Sequence, residues 1–312
     1  MHGNCSDFRN GAAIVEWAFQ GPKTGNPPKP KLSGSRRSHL KMNDLSKAAP
    51  WDCVANGYEA SAKLVFTQFA IAAMDLVDIE PGQDVADIAC GPGTLTTLLA
   101  DRQARVSALD FSMSMLRILE RNLSRSDLNA VTVHHGDGQA LPFEDSQFDA
   151  AFSLFGLMFF PDRAAGYSEM YRTLRKGGMA CISSWAQLSL CPLFDVMAQT
   201  IARLDPSRRP PTYDISSLEN PDVLVAEMQA AGFVDVSVHR VSRSFAFPSA
   251  NQLWHDLTEG SAPVSVMRSR MSAEAWNAVS SEAVRFVDAQ VGPFPTQLGA
   301  TAWIATGRKP LA

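Results

Sequence analysis

No stretch of the 312-residue sequence stays apolar for the roughly 20 residues that a bilayer-spanning helix needs. Cysteine is scarce. Cys5, Cys53, Cys90, Cys181 and Cys191 are scattered without paired spacing, which argues against a disulfide framework or a structural zinc site and suits a reducing, cytoplasmic setting. Neither sign of charge dominates: 28 Lys and Arg stand against 32 Asp and Glu, a net −4, so a general nucleic-acid surface is not expected. The N-terminus lacks the ordered basic, apolar and small-residue segments of a secretory signal. What the chain has is apolar mass. At 46% hydrophobic it can build one large domain, or a domain with insertions.

Residues 1–47 differ from the rest. GPKTGNPPKPKLSGSRRSHLK, rich in Pro, Gly, Ser and basic residues, is expected to be a flexible tail. It is read as a solvated extension, or as sequence ahead of a natural start at Met42; an arm for an acidic partner or membrane is the functional alternative. Residues 48–187 alternate helical spacing with short apolar runs. Segments 84–89, 105–109, 130–134, 148–154 and 179–185 read as strands. Segments 60–76 and 164–174 read as helices, and Thr94 and Ser112 are expected to cap two more. Residues 222–247 add a helix and a sixth strand, and residues 298–312 a last strand. Residues 188–221, with the proline-rich SRRPPTYD, and residues 248–297, helical twice over, read as cap insertions. Such alternation implies a mostly parallel sheet with helices on both faces and a site beyond the strands' carboxyl ends.

VADIACGPGTLTTLL places Gly91 and Gly93 in a turn between the first strand and a helix. Without Cβ atoms the backbone can approach a ligand closely, and the helix N-terminus favours an anionic group. Asp110 ends the second strand, where a carboxylate can accept both hydroxyls of a ribose. Asp137 follows the third strand and can accept from an adenine amino group; Phe111 and Met115 could sandwich the base. Ordinary turn chemistry accounts for any one of these residues; three successive strand ends agreeing on one nucleoside favours a site. In GPGTLT, Thr96 stands where a dinucleotide fingerprint has Gly or Ala, and no Gly-Lys-Ser/Thr follows for a P-loop.

DIACGPGTLT, ALDFSMSML, GDGQALPFEDSQFDAAFS and LRKGGMACISSW together resemble the motif set of class I S-adenosylmethionine-dependent methyltransferases, nearest to the small-molecule branch of ubiquinone and menaquinone biosynthesis. The resemblance covers residues 51–185 well and is suggestive beyond. It departs at Ala89, where the family often has glycine. It implies a Rossmann-like α/β fold with a seven-stranded sheet in the order 3-2-1-4-5-7-6, strand seven antiparallel, and S-adenosyl-L-methionine as cofactor. By that resemblance Asp87, Ala89, Gly91 and Gly93 hold the methionine end and Asp110 the ribose. Phe111, Met115, Gly136, Asp137, Gly138 and Gln139 meet the adenine. Ser153 and Leu154 offer backbone groups to the amino end. Tyr58 matches the family's aromatic residue over the cofactor, with a plain core aromatic as the competing reading.

The expected acceptor is a small apolar, aromatic or prenylated molecule, met by Phe155 and Phe159 after strand four, Trp185 after strand five, and Trp254. These same residues also suit an ordinary core. His255 is the candidate general base, with Tyr58 beside it as a second catalytic candidate. No metal is expected, and a homodimer is possible. The DNA-methylation signature Asn/Asp-Pro-Pro-aromatic is absent after strand four, where SLFGLMFFPD stands. A non-catalytic S-adenosylmethionine-binding protein and a nicotinamide-dependent oxidoreductase remain the alternatives.

Overall fold

The computed structural model describes residues 45–124, 130–204 and 218–312. The expected tail, except its last three residues, and the SRRPPTYD segment lie outside the described residues. Seven strands form one sheet: β1 (Asp84–Ile88), β2 (Arg105–Asp110), β3 (Val131–His135), β4 (Phe148–Leu154), β5 (Leu174–Trp185), β6 (Val234–Phe247) and β7 (Thr296–Arg308). Their order is β3-β2-β1-β4-β5-β7-β6. The pairs among β1 to β5 are parallel, whereas β7 runs antiparallel to both β5 and β6. This is the topology expected from the sequence. Parallel strands covered on both faces need apolar runs, and Val85, Ala86, Ile88, Ala108, Leu109, Ala151 and Phe152 are all buried.

Helices α1 (Ala48–Gly57) and α2 (Lys63–Met74) precede the sheet, joined by a π-helical turn at Tyr58–Ala62. Next come α3 (Thr94–Asp101), α4 (Met113–Leu123), α5 (Arg163–Thr173), α6 (Pro192–Leu204) and α7 (Pro221–Ala230). The β6–β7 connection carries α8 (Ala250–Glu259), α9 (Ala262–Ser269) and α10 (Ala273–Val291). Ser112 caps α4 as expected, its Oγ accepting the Met115 N–H. Thr94 does not cap α3; the left-handed Gly93 holds that place and no side chain caps it.

Other boundaries move for local reasons. The chain before β1 is helical from Ala48, because the π turn continues the helix rather than ending it. β5 starts before Gly177 and Gly178, which lie in a bulge between the Phe148–Leu174 and Ala150–Met179 pairs. β6 and β7 run longer than their apolar patterns suggest, since they pair with each other from Val234–Arg308 to Phe247–Thr296. The segments 188–204 and 248–295 pack together: Trp254, Val264, Trp276 and Ala283 are buried against Met197, Ile201 and Leu204 of α6. Among the described residues, no helix is long and apolar enough to cross a membrane.

Candidate active site

Ala89, Gly91 and Gly93, which connect β1 to α3, have φ of +59°, +55° and +85°. Gly93 is enforced by packing, because a Cβ there would lie 2.3 Å from Leu119 Cδ1. Gly91 is different: a Cβ there would meet nothing within 4 Å. The turn therefore presents bare backbone to open space at the carboxyl end of β1. The Cys90 N–H donates to the Leu109 carbonyl at 3.0 Å, holding this turn against the end of β2.

Asp110, only 5% exposed, organises the neighbouring loops. Its Oδ2 accepts the Gly91 N–H and its Oδ1 the Ser112 N–H, each at 2.8 Å. Burial pushes its carboxyl up to about 6, against the pull of those amides. Asp87, 2% exposed, accepts the Thr96 hydroxyl at 2.6 Å. Burial pushes Asp87 up to about 7, with the Thr96 bond opposing and the Asp110 charge adding. Thr96 thus has a partner in the strand, where a dinucleotide turn would need close helix–strand packing.

On the far side of Asp110, Phe111 is half-buried and its carbonyl lies 3.1 Å from His135 Nε2. Met115 is buried among Leu45, Val54 and Ile118, against Tyr58. The Gly136 N–H donates to the Asp110 carbonyl. Asp137 is exposed and accepts both the backbone and the side-chain amide of Gln139. The Gln139 Oε1 in turn accepts the Asp162 N–H. Gly138 is tight, since a Cβ there would meet the Phe160 ring at 2.4 Å. At the end of β4, Ser153 is fully buried with no hydrogen-bond partner for its hydroxyl, and Leu154 is half-buried.

Aromatic rings gather beside this cradle. Phe155 stacks on Trp185 at 4.0 Å, and Trp185 meets Phe194 of α6 at 4.6 Å. Phe66 and Phe69 of α2 close edge-on onto Phe155. Tyr58 stacks on Phe66 at 5.1 Å. Phe155 is left-handed, with φ +58°, and its N–H donates to the Ser183 hydroxyl at 3.0 Å. A non-glycine residue in this region costs energy and is met where neighbours over-determine it.

Four of the expected site residues stand differently from their expected roles. His255 is exposed on α8 and makes no ring contact among the described residues; its neighbours Trp254 and Leu257 are the buried ones. One residue is about 100° around a helix, so His255 follows the outer face. Trp254 stacks on Trp276 within the packed helices of the two connections, not on the Phe155–Trp185 pair. Tyr58 does stand beside Asp110, but burial, with the Asp110 charge adding, pushes its phenol up, which suits a hydrogen-bond donor and not a base. Phe159 lies edge-on to Trp51 of α1 at 4.9 Å. Among the described residues no cluster of His, Cys, Asp and Glu could hold a metal ion.

The sequence reading missed Phe66 and Asp52 as site neighbours and gave no site role to Phe69, Thr96 or Phe194. The spacing of Phe66 and Phe69, three apart on one helix, was the available signal.

Residues 85–178 match the model of a methyltransferase domain. A demethylmenaquinone methyltransferase of Renibacterium salmoninarum is 30% identical over 221 residues, covering 66% of this chain and 91% of that protein. The chain belongs to the class I S-adenosylmethionine-dependent methyltransferase family. A demethylmenaquinone methyltransferase of Listeria monocytogenes is 36% identical over 115 residues; the match covers 36% of this chain and about half of the relative, 48%. A solved structure from Bacillus halodurans, described as a methyltransferase, has a TM-score of 0.52 at 19% identity, covering 77% of this chain and 98% of that one. It shares the methyltransferase fold.

Ala89 is the position at which the sequence departs from the motif it resembles, where glycine is expected. Here the extra methyl points at Gly156, where a Cβ would lie 2.4 Å from the Ala89 Cβ. Ala89→Gly is expected to stabilise the protein by up to about 1 kcal/mol by relieving a left-handed alanine. Gly156→Ala should lower the melting temperature, and Ala89→Gly should recover part of that loss. Equal melting curves for the single and double variants would contradict the pairing.

Proposed function

We propose that the chain transfers a methyl group from S-adenosylmethionine to a small apolar acceptor with an aromatic ring. The observation that carries the reading is the cradle of Asp110 and Gly91: a buried carboxylate pinned by two amides, beside a turn whose backbone faces open space. These residues fit an adenosyl group. Asp110 can accept ribose hydroxyls, and Asp137 lies at the third strand end, where an adenine amino group would be expected. The unpartnered Ser153 hydroxyl is a further polar atom at the methionine end. When bound, S-adenosylmethionine supplies a sulfonium-activated methyl group.

The chain's own part is binding, alignment and exclusion of water. Asp110 provides the acceptor carboxylate at the strand ends, and Asp87 braces the start of α3 through Thr96. Gly91 lets the backbone close on the ligand. Phe66, Phe69, Phe155, Trp185 and Phe194 form an aromatic wall that can hold a flat ring and keep water out. Holding reactants in line can supply roughly 7–11 kcal/mol of a barrier, so this arrangement needs no strong base, and the corrected places of His255 and Tyr58 agree with that. The name of the Renibacterium relative supports an acceptor with a quinone-type ring and a prenyl tail. The buried free thiols Cys90, Cys181 and Cys191 support a reducing compartment.

The test is incubation with S-adenosylmethionine and a panel of quinols, phenols and amines, read by mass spectrometry for the gain of one methyl group. Trp185→Ala is expected to raise KM for the methylated acceptor by about tenfold or more, since burying a large ring contributes about 1.5–3 kcal/mol, with little change in cofactor affinity. Binding of NADH without binding of S-adenosylhomocysteine would replace this reading with an oxidoreductase. Cofactor binding without transfer to any acceptor would favour a non-catalytic role.

A further inference from the structure

We propose that Asp52 is a positioning residue that clasps the N-terminal helix shut over the nucleoside cradle. The inference rests on the reading of that cradle given above. Asp52 lies on α1, and its Oδ1 accepts the Ser112 hydroxyl at 2.6 Å and the Ser114 N–H at 3.0 Å. It therefore sits at the N-terminus of α4, where amides lack helical partners and the dipole favours an anion. The same Ser112 donates its own N–H to Asp110 Oδ1 at 2.8 Å. One serine thus joins the helix on one side to the cradle's carboxylate on the other.

A second clasp holds the other end. Glu59, in the π turn, accepts from Arg121 and from Asn122 of α4, the latter at 2.8 Å. Between the two clasps Tyr58 stands beside Asp110, stacked on Phe66. The helix's remaining side fits closely against the next layer: a Cβ on Gly57 would lie 2.5 Å from the Glu259 carbonyl, and one on Gly260 3.0 Å from Ser61 Oγ. A π turn within a helix is a frequent device at functional sites, because it re-aims the side chains on one turn. Here it sets Tyr58 toward the strand ends while Asp52 and Glu59 face α4. Tyr58 brings this helix against the cradle's carboxylate, and on this proposal the bound state needs the helix held there. A ligand's apparent affinity falls by the fraction of molecules in the competent state, and loss of the Asp52 clasp lowers that fraction.

The experiment compares the full chain with D52A and D52N. Affinity for S-adenosylhomocysteine is read by calorimetry, its release by stopped flow, and opening of residues 48–62 by hydrogen exchange. D52A is expected to bind about tenfold more weakly and release correspondingly faster, the scale of losing hydrogen bonds to a charged group. Exchange over residues 48–62 should rise in D52A. D52N keeps an oxygen acceptor for Ser112 and Ser114 and should stay within about threefold of the parent. KM for S-adenosylmethionine should rise in D52A with little change in kcat.

If D52A does not fold, S112A carries the test: it removes the hydroxyl bond to Asp52 and the Met115 cap but keeps the N–H to Asp110, and should release the ligand several-fold faster with exchange raised over residues 48–62 and not over α4 alone. Parent protein that binds, with D52A or S112A identical to it, overturns the clasp alone. D52N as weak as D52A also overturns it. Parent protein that does not bind S-adenosylhomocysteine removes the cradle reading itself.

Discussion

Asp110→Ala is expected to lower affinity for S-adenosylhomocysteine by about a hundredfold or more, since hydrogen bonds to a charged group are each worth about 1.5–3 kcal/mol and a ribose offers two. The substitution also strands the Gly91 and Ser112 amides, which Asp110 now satisfies, so the melting temperature should fall as well. The pH profile separates the two effects. Burial holds the Asp110 carboxyl up to about 6, above the ordinary aspartate value of 3.8. The neutral acid is a poor acceptor, so affinity should drop as pH falls through 6. Stability responds in the opposite sense. A folded pKa raised above the unfolded one means that the native state holds the proton more tightly, so this group's cost to stability shrinks as pH falls from 6 toward 4. Weakened binding at low pH therefore cannot arise from this group unfolding the protein. Unchanged calorimetric affinity in Asp110→Ala would remove the ribose assignment.

The glycine turn gives the second large effect, through a contrast between two neighbours. Gly91→Ala places a methyl where nothing lies within 4 Å. The empty protein should lose only the left-handed strain of about 1–2 kcal/mol, while affinity for S-adenosylhomocysteine falls by about tenfold or more, because the methyl projects into the space assigned to the ligand. Gly93→Ala meets Leu119 Cδ1 at 2.3 Å, and Leu119 is fully buried in the core. Overpacking there adds about 1–3 kcal/mol to the strain, so Gly93→Ala should damage the fold first and binding only as a consequence. Melting curves and calorimetry on both variants decide the matter. Wild-type affinity in Gly91→Ala would contradict close approach of the ligand to that backbone.

Much of the architecture was legible because parallel strands announce themselves. Segments 84–89, 105–109 and 148–154 were apolar runs with few alternatives, and the glycine turn with Asp110 fixed how the first two relate. β6 and β7 were harder. β6 lies at the sheet edge and much of it is exposed, so its polar residues hide its length. The sequence reads as helix over 164–174 and strand over 179–185, leaving Gly177 and Gly178 between them; the structure uses both glycines in a bulge of β5 instead. At the candidate site, the strand-end residues could be placed from the sequence because each directly follows a strand, and the structure puts Asp87, Gly91 and Asp110 side by side. The aromatic wall was only half readable. Phe155 and Trp185 end strands, but Phe66 comes from a helix some 90 residues earlier, and no local pattern joins them. His255 and Trp254 misled for a related reason: their residue types suggested chemistry, while only three-dimensional packing shows which face of α8 each occupies.

The aromatic wall has one more consequence. Its rings come from separate stretches: α2, the end of β4, the end of β5 and α6. The cradle beside it is made from the ends of β1, β2 and β3. Exchange of Phe194, which meets Trp185 and comes from α6, thus alters one panel of the wall while leaving the bonds of Asp87 and Asp110 in place. If the wall meets the acceptor as proposed, new acceptor preferences can evolve panel by panel on an unchanged nucleoside seat.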